Sequence, residues 1–245
     1  MDFKKFTNSA GSFFERTVQK TEETFKTAEK TLLDAGLEQS MKECDLRHKW
    51  AQNLINLTTN FVQPNPAMKF EDMVLKGFDR KKERSTAAEQ LGDYMSEIAN
   101  EMGTSLQAGS LLRCGQAQSI VGQNEKAMLA TIEETYIESL KNFISGSVKQ
   151  MQKDREELEN VRLDLDRIKT KIRRSKDDAA KKQQLEQEKV EATANFDRQC
   201  DVTRQSCQKC IADFDRLQNE TTKMLEAQRT FYQKALVAVQ DALRQ

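Results

Sequence analysis

From Ser147 to Gln245 the chain contains neither glycine nor proline. Nothing local interrupts the backbone over that stretch, and its apolar residues recur every three or four positions, so it must be read as helix. Ile137, Leu140, Ile144, Met151, Leu158, Val161, Leu165, Ile168 and Ile172 occupy the a and d positions of one heptad register, interrupted only by Ser147 and Asp154. A seam this narrow marks a coiled coil rather than a globular helix face. A second seam runs through Thr203, Cys207, Cys210, Phe214, Leu217, Thr221, Met224, Gln228, Phe231, Ala235, Ala238 and Ala242. Between the two lies RRSKDDAAKK, residues 173–182, where the periodicity stops and Asp177 or Asp178 is placed to cap a new helix; a reversal is predicted there.

Upstream, Phe25, Ala28 and Leu32, then Leu37, Met41, Cys44, His48, Ala51, Ile55, Thr58 and Val62, form another helical stripe, which stops at Pro64 and Pro66, the only prolines of the chain. Both prolines push the preceding residues, Gln63 and Asn65, toward extended geometry. Three main helices are therefore expected, at about 23–62, 90–176 and 178–245, with bends at the glycines of the middle one. The predicted fold is all-α, an elongated antiparallel three-helix coiled coil. A spectrin-like monomer or an elongated dimer would both fit, and the clustering of Trp50, Phe61, Phe231 and Tyr232 at helix ends favours a dimer whose central bundle joins two chains.

Composition agrees with this reading: 37% of the residues are apolar and 32% are charged, and no segment has the β-branched runs and turn residues of strands. Basic and acidic residues balance at 39 each, so any electrostatic function must come from local segregation. No apolar run is long enough to span a bilayer and the start lacks a signal-peptide core, which predicts a cytosolic chain or one bound to a cytosolic membrane face. Five cysteines in such a chain are expected to be reduced thiols.

Two short segments hold half of the twelve phenylalanines outside the seams. Phe3, Phe6, Phe13 and Phe14 share one helical arc with Ala10 and Val18, while Lys5, Arg16 and Lys20 lie opposite and Lys4 is adjacent in sequence. After the prolines, Phe70, Met73, Val74 and Phe78 share a face beside Lys76, Arg80, Lys81, Lys82 and Arg84. The first segment reads as a short helix docked on the core, as a disordered segment or as an interfacial membrane helix, and the second as a mini-helix packed on the body or a repeat of the membrane pattern, with the lysines and arginines on anionic headgroups. A third concentration of charge lies at the reversal: Arg167, Lys169, Lys171, Arg173, Arg174, Lys176, Lys181 and Lys182 oppose only Asp177 and Asp178. No core needs that charge at the far end of a bundle, and anionic lipid attracts each nearby cation by about 1 kcal/mol. Nucleic acid is disfavoured, because no aromatic residue within the run can stack on bases and no recognition motif accompanies it.

Catalytic chemistry is not indicated. Cys207, Cys210, Cys44 and His48 have the types and spacing of metal ligands, but all four occupy apolar seam positions, where cysteine acts as a small hydrophobe. His48 is the sole histidine, and the isolated glycines make no phosphate-binding loop. No cofactor, metal site or enzymatic activity is expected.

The chain resembles the endophilin family, its B type in particular, whose fold is the N-BAR domain. The resemblance rests on MDF and AGSFFERTVQKTEE near the start, AEKTLLDAGLE, QPNPA at 63–67, FDRK at 78–81, LGDYM at 91–95, RCGQAQ at 113–118, RLDLDRIKTKIRRSK at 162–176 and FDRQCDVTR at 196–204, in order along the whole chain. It implies a crescent-shaped homodimer, with an N-terminal amphipathic helix over 1–22 and a BAR domain over 23–245 that carries an insert at 64–89. On this sequence the inserting side chains would be Phe3, Phe6, Phe13 and Phe14, with Phe70, Met73 and Phe78 in the insert, and Lys169, Lys171, Arg173, Arg174 and Lys176 would contact anionic phospholipid at the tip. The family acts in curvature sensing and membrane remodelling during vesicle trafficking, and its B type on Golgi, mitochondrial, endosomal and autophagic membranes. Proline-rich partners such as dynamin or synaptojanin are expected only if an SH3 domain follows residue 245. The competing expectation is a cytosolic coiled-coil adaptor that binds no lipid, with a cysteine-based redox or zinc module as a weaker third.

Overall fold

The computed structural model describes residues 30–63, 65, 84–175 and 179–244. Every regular element among them is helical. Helix α1 spans Ala35–Val62, α2 Ala87–Glu101, α3 Leu106–Ile132, α4 Glu138–Phe143, α5 Lys149–Arg174, α6 Ala179–Arg216 and α7 Gln218–Leu243. Two π-helical turns, Glu133–Ile137 and Ile144–Val148, join α3 to α4 and α4 to α5.

The reversal predicted at 173–182 is present, since α5 ends at Arg174 and α6 starts at Ala179. Lys176, Asp177 and Asp178 lie outside the described residues. Elsewhere the helix boundaries differ from expectation. The first helix does not run through residues 30–34, because Asp34 terminates it: its carboxylate accepts from the Leu37 amide at 3.0 Å and opens α1 there. The middle helix does not begin at about 90. Residues 87–101 form a helix of their own, and the chain turns at 102–105, where Gly103 adopts φ +72°, a conformation that excludes most side chains. Ser105 then caps α3 by accepting from the Ala108 amide at 3.0 Å. Finally, the third helix is not continuous despite its lack of glycine and proline, since Leu217 separates α6 from α7.

By packing, the chain divides into two units, residues 1–39 with 152–205 and residues 40–151 with 206–245. In the first, Leu37, Leu158, Leu165, Leu185, Phe196 and Thr203 are buried. The buried Thr203 hydroxyl and the Gln199 amide both donate to the carbonyl of Asp154, at 3.1 and 3.0 Å.

In the second unit, the core brings together Cys44 and Ala51 of α1, Tyr136, Leu140, Phe143, Val148 and Met151 of the middle helix, and Cys207 and Cys210 of α6. The Cys44 thiol donates to the carbonyl of Cys207 at 3.5 Å, while Trp50 stands 6.0 Å from Phe214. Contacts that advance together along both helices make α1 and this part of α6 parallel. Phe214 also meets Phe143 edge-on at 5.4 Å, and Ser147 meets Asp213. The middle helix therefore runs the other way, as the antiparallel reading expects. The break at Ser147 is polar for a local reason: its hydroxyl donates to Asp213 at 2.5 Å, and Lys209 and Arg216 reach the same carboxylate at 2.5 and 2.9 Å. Burial alone would raise the pKa of Asp213, but these donors and cations outweigh it and hold it below the usual carboxylate range.

Helices α2 and α3 approach at backbone distance. A Cβ on Gly92 would stand 2.5 Å from the carbonyl of Gly115, and one on Gly115 would stand 2.7 Å from that of Gly92. The glycines at 92 and 115 therefore mark contact between helices, not bends.

Candidate functional site

The residues that the sequence marks for membrane contact divide in two. Phe3, Lys4, Lys5, Phe6, Phe13, Phe14, Arg16, Phe70, Met73, Lys76, Phe78, Arg80, Lys81, Lys82 and Lys176 lie outside the described residues. The others flank the reversal. Lys171, Arg173 and Arg174, in the last turn of α5, and Lys181 and Lys182, in the first turn of α6, are all exposed. Cations in the last turn of α5 also complement the negative end of its helix dipole.

Two members of the run are engaged within the first unit. Arg167 pairs with Asp164 at 2.9 Å, an exposed i,i+3 pair worth little to stability. The ammonium of Lys169 is half-buried and donates to the Thr31 hydroxyl at 2.7 Å. Among the described residues beside the reversal, Lys171, Arg173, Arg174, Lys181 and Lys182 are the exposed cations nearest the turn.

The second unit carries a surface that the seams do not account for. Along α1, Leu46, Trp50, Leu57 and Phe61 recur at spacings of four and seven, and all are exposed. Along α7, Leu225, Tyr232, Leu236, Val239 and Leu243 make a second stripe, one position removed from the core stripe of Met224, Phe231, Ala235 and Ala238. Leu57 is 67% exposed and Leu243 76%. Side chains of this size left in water at helical spacing are the signature of an interface, because each would yield about 2 kcal/mol on burial. Of this surface the sequence reading names only Trp50, Phe61 and Tyr232. The overlooked signal is that α7 is apolar on two adjacent stripes where a three-helix core requires one.

Cys44, Cys207 and Cys210 are completely buried, and His48 is half-buried. Side-chain hydrogen bonds from Cys207 and Cys210, together with burial, push the Cys44 thiol well above its usual range, so it stays protonated. Among the described residues, no group of three or more His, Cys, Asp or Glu is arranged to hold a metal ion. No helix among them is long and apolar enough to cross a membrane.

The described residues form all-α cores with a basic helix reversal and exposed apolar stripes, and the family described as BAR domain matches residues 4–245. The chain is 34% identical over 259 residues to Endophilin-B1 of Rattus norvegicus and of Homo sapiens, covering 100% of this chain and 68% of each relative. It is 35% identical over 239 residues to Endophilin-B2 of Mus musculus, covering 92% of this chain and 60% of that one. The chain belongs to the endophilin family of BAR-domain proteins.

Proposed function

We propose that this protein is a non-enzymatic, homodimeric scaffold that binds anionic membranes and senses and generates their curvature in vesicle trafficking and organelle membrane dynamics. The observation that carries the reading is the exposed basic cluster at the helix reversal of a BAR fold. Lys171, Arg173, Arg174, Lys181 and Lys182 are all exposed beside the reversal, and each contributes about 1 kcal/mol near an anionic leaflet. Lys4, Lys5, Arg16, Lys76, Arg80, Lys81 and Lys82 would add to this attraction. Phe3, Phe6, Phe13 and Phe14, with Phe70, Met73 and Phe78, act as shallow wedges that expand one leaflet.

The apolar stripes on α1 and α7 support the dimer, and a second copy is the occupant that doubles the rigid surface presented to lipid. The protein works at the cytoplasmic face, by analogy on Golgi, mitochondrial outer, endosomal or autophagic membranes. Recruitment of dynamin- or synaptojanin-like proline-rich proteins belongs to the reading only if an SH3 domain follows residue 245.

Co-sedimentation with phosphatidylserine-containing vesicles tests this. The Phe3/Phe6/Phe13/Phe14→Ser variant is expected to bind several-fold more weakly than the parent chain, and Lys171→Glu with Arg173→Glu to lose both affinity and much of its salt dependence. Absence of binding by the parent chain itself would support a lipid-independent adaptor instead.

A further inference from the structure

Asp166 is the most buried carboxylate among the described residues of the first unit, at 4% exposure. Its Oδ1 accepts from both the amide and the hydroxyl of Thr31, at 3.0 and 2.5 Å. The same hydroxyl accepts from Lys169 Nζ at 2.7 Å, so the charge of Asp166 is balanced through Thr31. Three residues on, Asp34 opens α1 and pairs with Arg204 of α6 at 3.7 Å. Residues 30–34 are thus a non-helical strap tied at both ends, with Leu32 between the ties 84% exposed. A buried carboxylate that takes two donors from one threonine specifies the position of that threonine, because displacing it removes both bonds.

We propose that Thr31, Asp166 and Lys169 are positioning residues that fix the point at which the N-terminal segment departs. They hold the start of the strap beside the basic end of α5, so that the chain leaves the bundle next to the cations that meet headgroups. Asp166 precedes Lys171, Arg173 and Arg174 on the same helix by about 8–12 Å. Lys169 acts through Thr31 and not on lipid. The proposal rests on the membrane reading for its consequence, but not for the anchor itself.

Hydrogen exchange and vesicle tubulation on the full chain separate the two. Thr31→Val, Asp166→Ala and Lys169→Met are expected to speed exchange of the 30–34 amides at least tenfold, with amides of 185–203 unchanged. Thr31→Ser should restore protection, and Lys171→Met should leave it intact. On phosphatidylserine vesicles, Thr31→Val should bind within about twofold of the parent yet require several-fold more protein to form tubules, with Thr31→Ser again matching the parent. Unchanged strap exchange in Thr31→Val and Asp166→Ala would overturn the anchor. Faster exchange with unaltered tubulation would overturn its positioning role. A parent chain that binds no vesicles would refute the membrane reading and, with it, that role, while the exchange data would still decide the anchor.

Discussion

Glu89 is a buried carboxylate whose partners all arise locally or from one facing helix. It accepts from the Thr86 amide at 2.7 Å, its own amide donates to the Thr86 hydroxyl at 3.1 Å, and Lys126 of α3 closes the site at 3.1 Å. This capping box starts α2, and it fits because position 122 has no side chain: a Cβ there would stand 2.7 Å from Glu89 Cγ and would collide with the Thr86 hydroxyl. The Thr86 amide holds the Glu89 carboxyl below its ordinary 4.5; burial opposes this, and Lys126 reinforces the lowering. A depressed folded pKa stabilises the protein above the ordinary carboxylate range, and that contribution is lost as pH falls through the depressed value. Glu89→Gln should therefore cost about 1 kcal/mol at neutral pH, and the gap from the parent should shrink in acid. Urea unfolding of both at pH 7 and below pH 4 reads the difference. The Thr86-to-Glu89 spacing is visible in sequence, but its partner Gly122 is 33 residues further on. Only packing shows why that glycine is there.

Among the elements, what could be read in advance follows from how each signal is encoded. The reversal after Arg174 announces itself because periodicity fails and like charges accumulate together. The turn at 102–105 does not, since Gly103 is one of four glycines between residues 103 and 122 and the others lie within helix. The heptad reading also assigns Ile144 and Ser147 to the seam, whereas the buried side chains are Phe143 and Val148, five positions apart. The π-turn Ile144–Val148 accommodates the extra residue and re-aims the helix between them. A strict 3.5-residue template has no place for such a phase shift. Within that turn, a Cβ on Gly146 meets nothing within 4 Å, and its φ is not in the left-handed region. Gly146→Ala should accordingly stabilise the protein by about 0.5–1 kcal/mol, by restricting the unfolded chain. Thermal unfolding checks this, and a lower midpoint would mean that the π-turn depends on glycine.

For the molecule as a whole, the question is what covers α1 and α7. A single chain satisfies its core with Cys44, Ala51, Leu140, Phe143, Met151, Cys207 and Cys210, yet leaves Leu57, Phe61, Leu225, Tyr232, Leu236 and Leu243 in water. The seams were legible because a heptad encodes contacts within the bundle. The second stripe was not, because periodicity says that a face is apolar and not which chain covers it. We propose a second copy as the partner, since matching apolar stripes on two copies would bury each other about a two-fold axis. Charge placed in the stripe tests this without touching the core. Leu236→Glu combined with Leu243→Glu should weaken self-association at least 100-fold, about 2.7 kcal/mol, and helical content should be retained because both side chains are already solvent-facing. Val190→Glu in the first unit, where the exposed valine stands on α6 outside either stripe, should leave the association constant unchanged. Sedimentation velocity across a concentration series distinguishes the cases. A parent chain that stays monomeric at every concentration would assign the stripe to some other occupant.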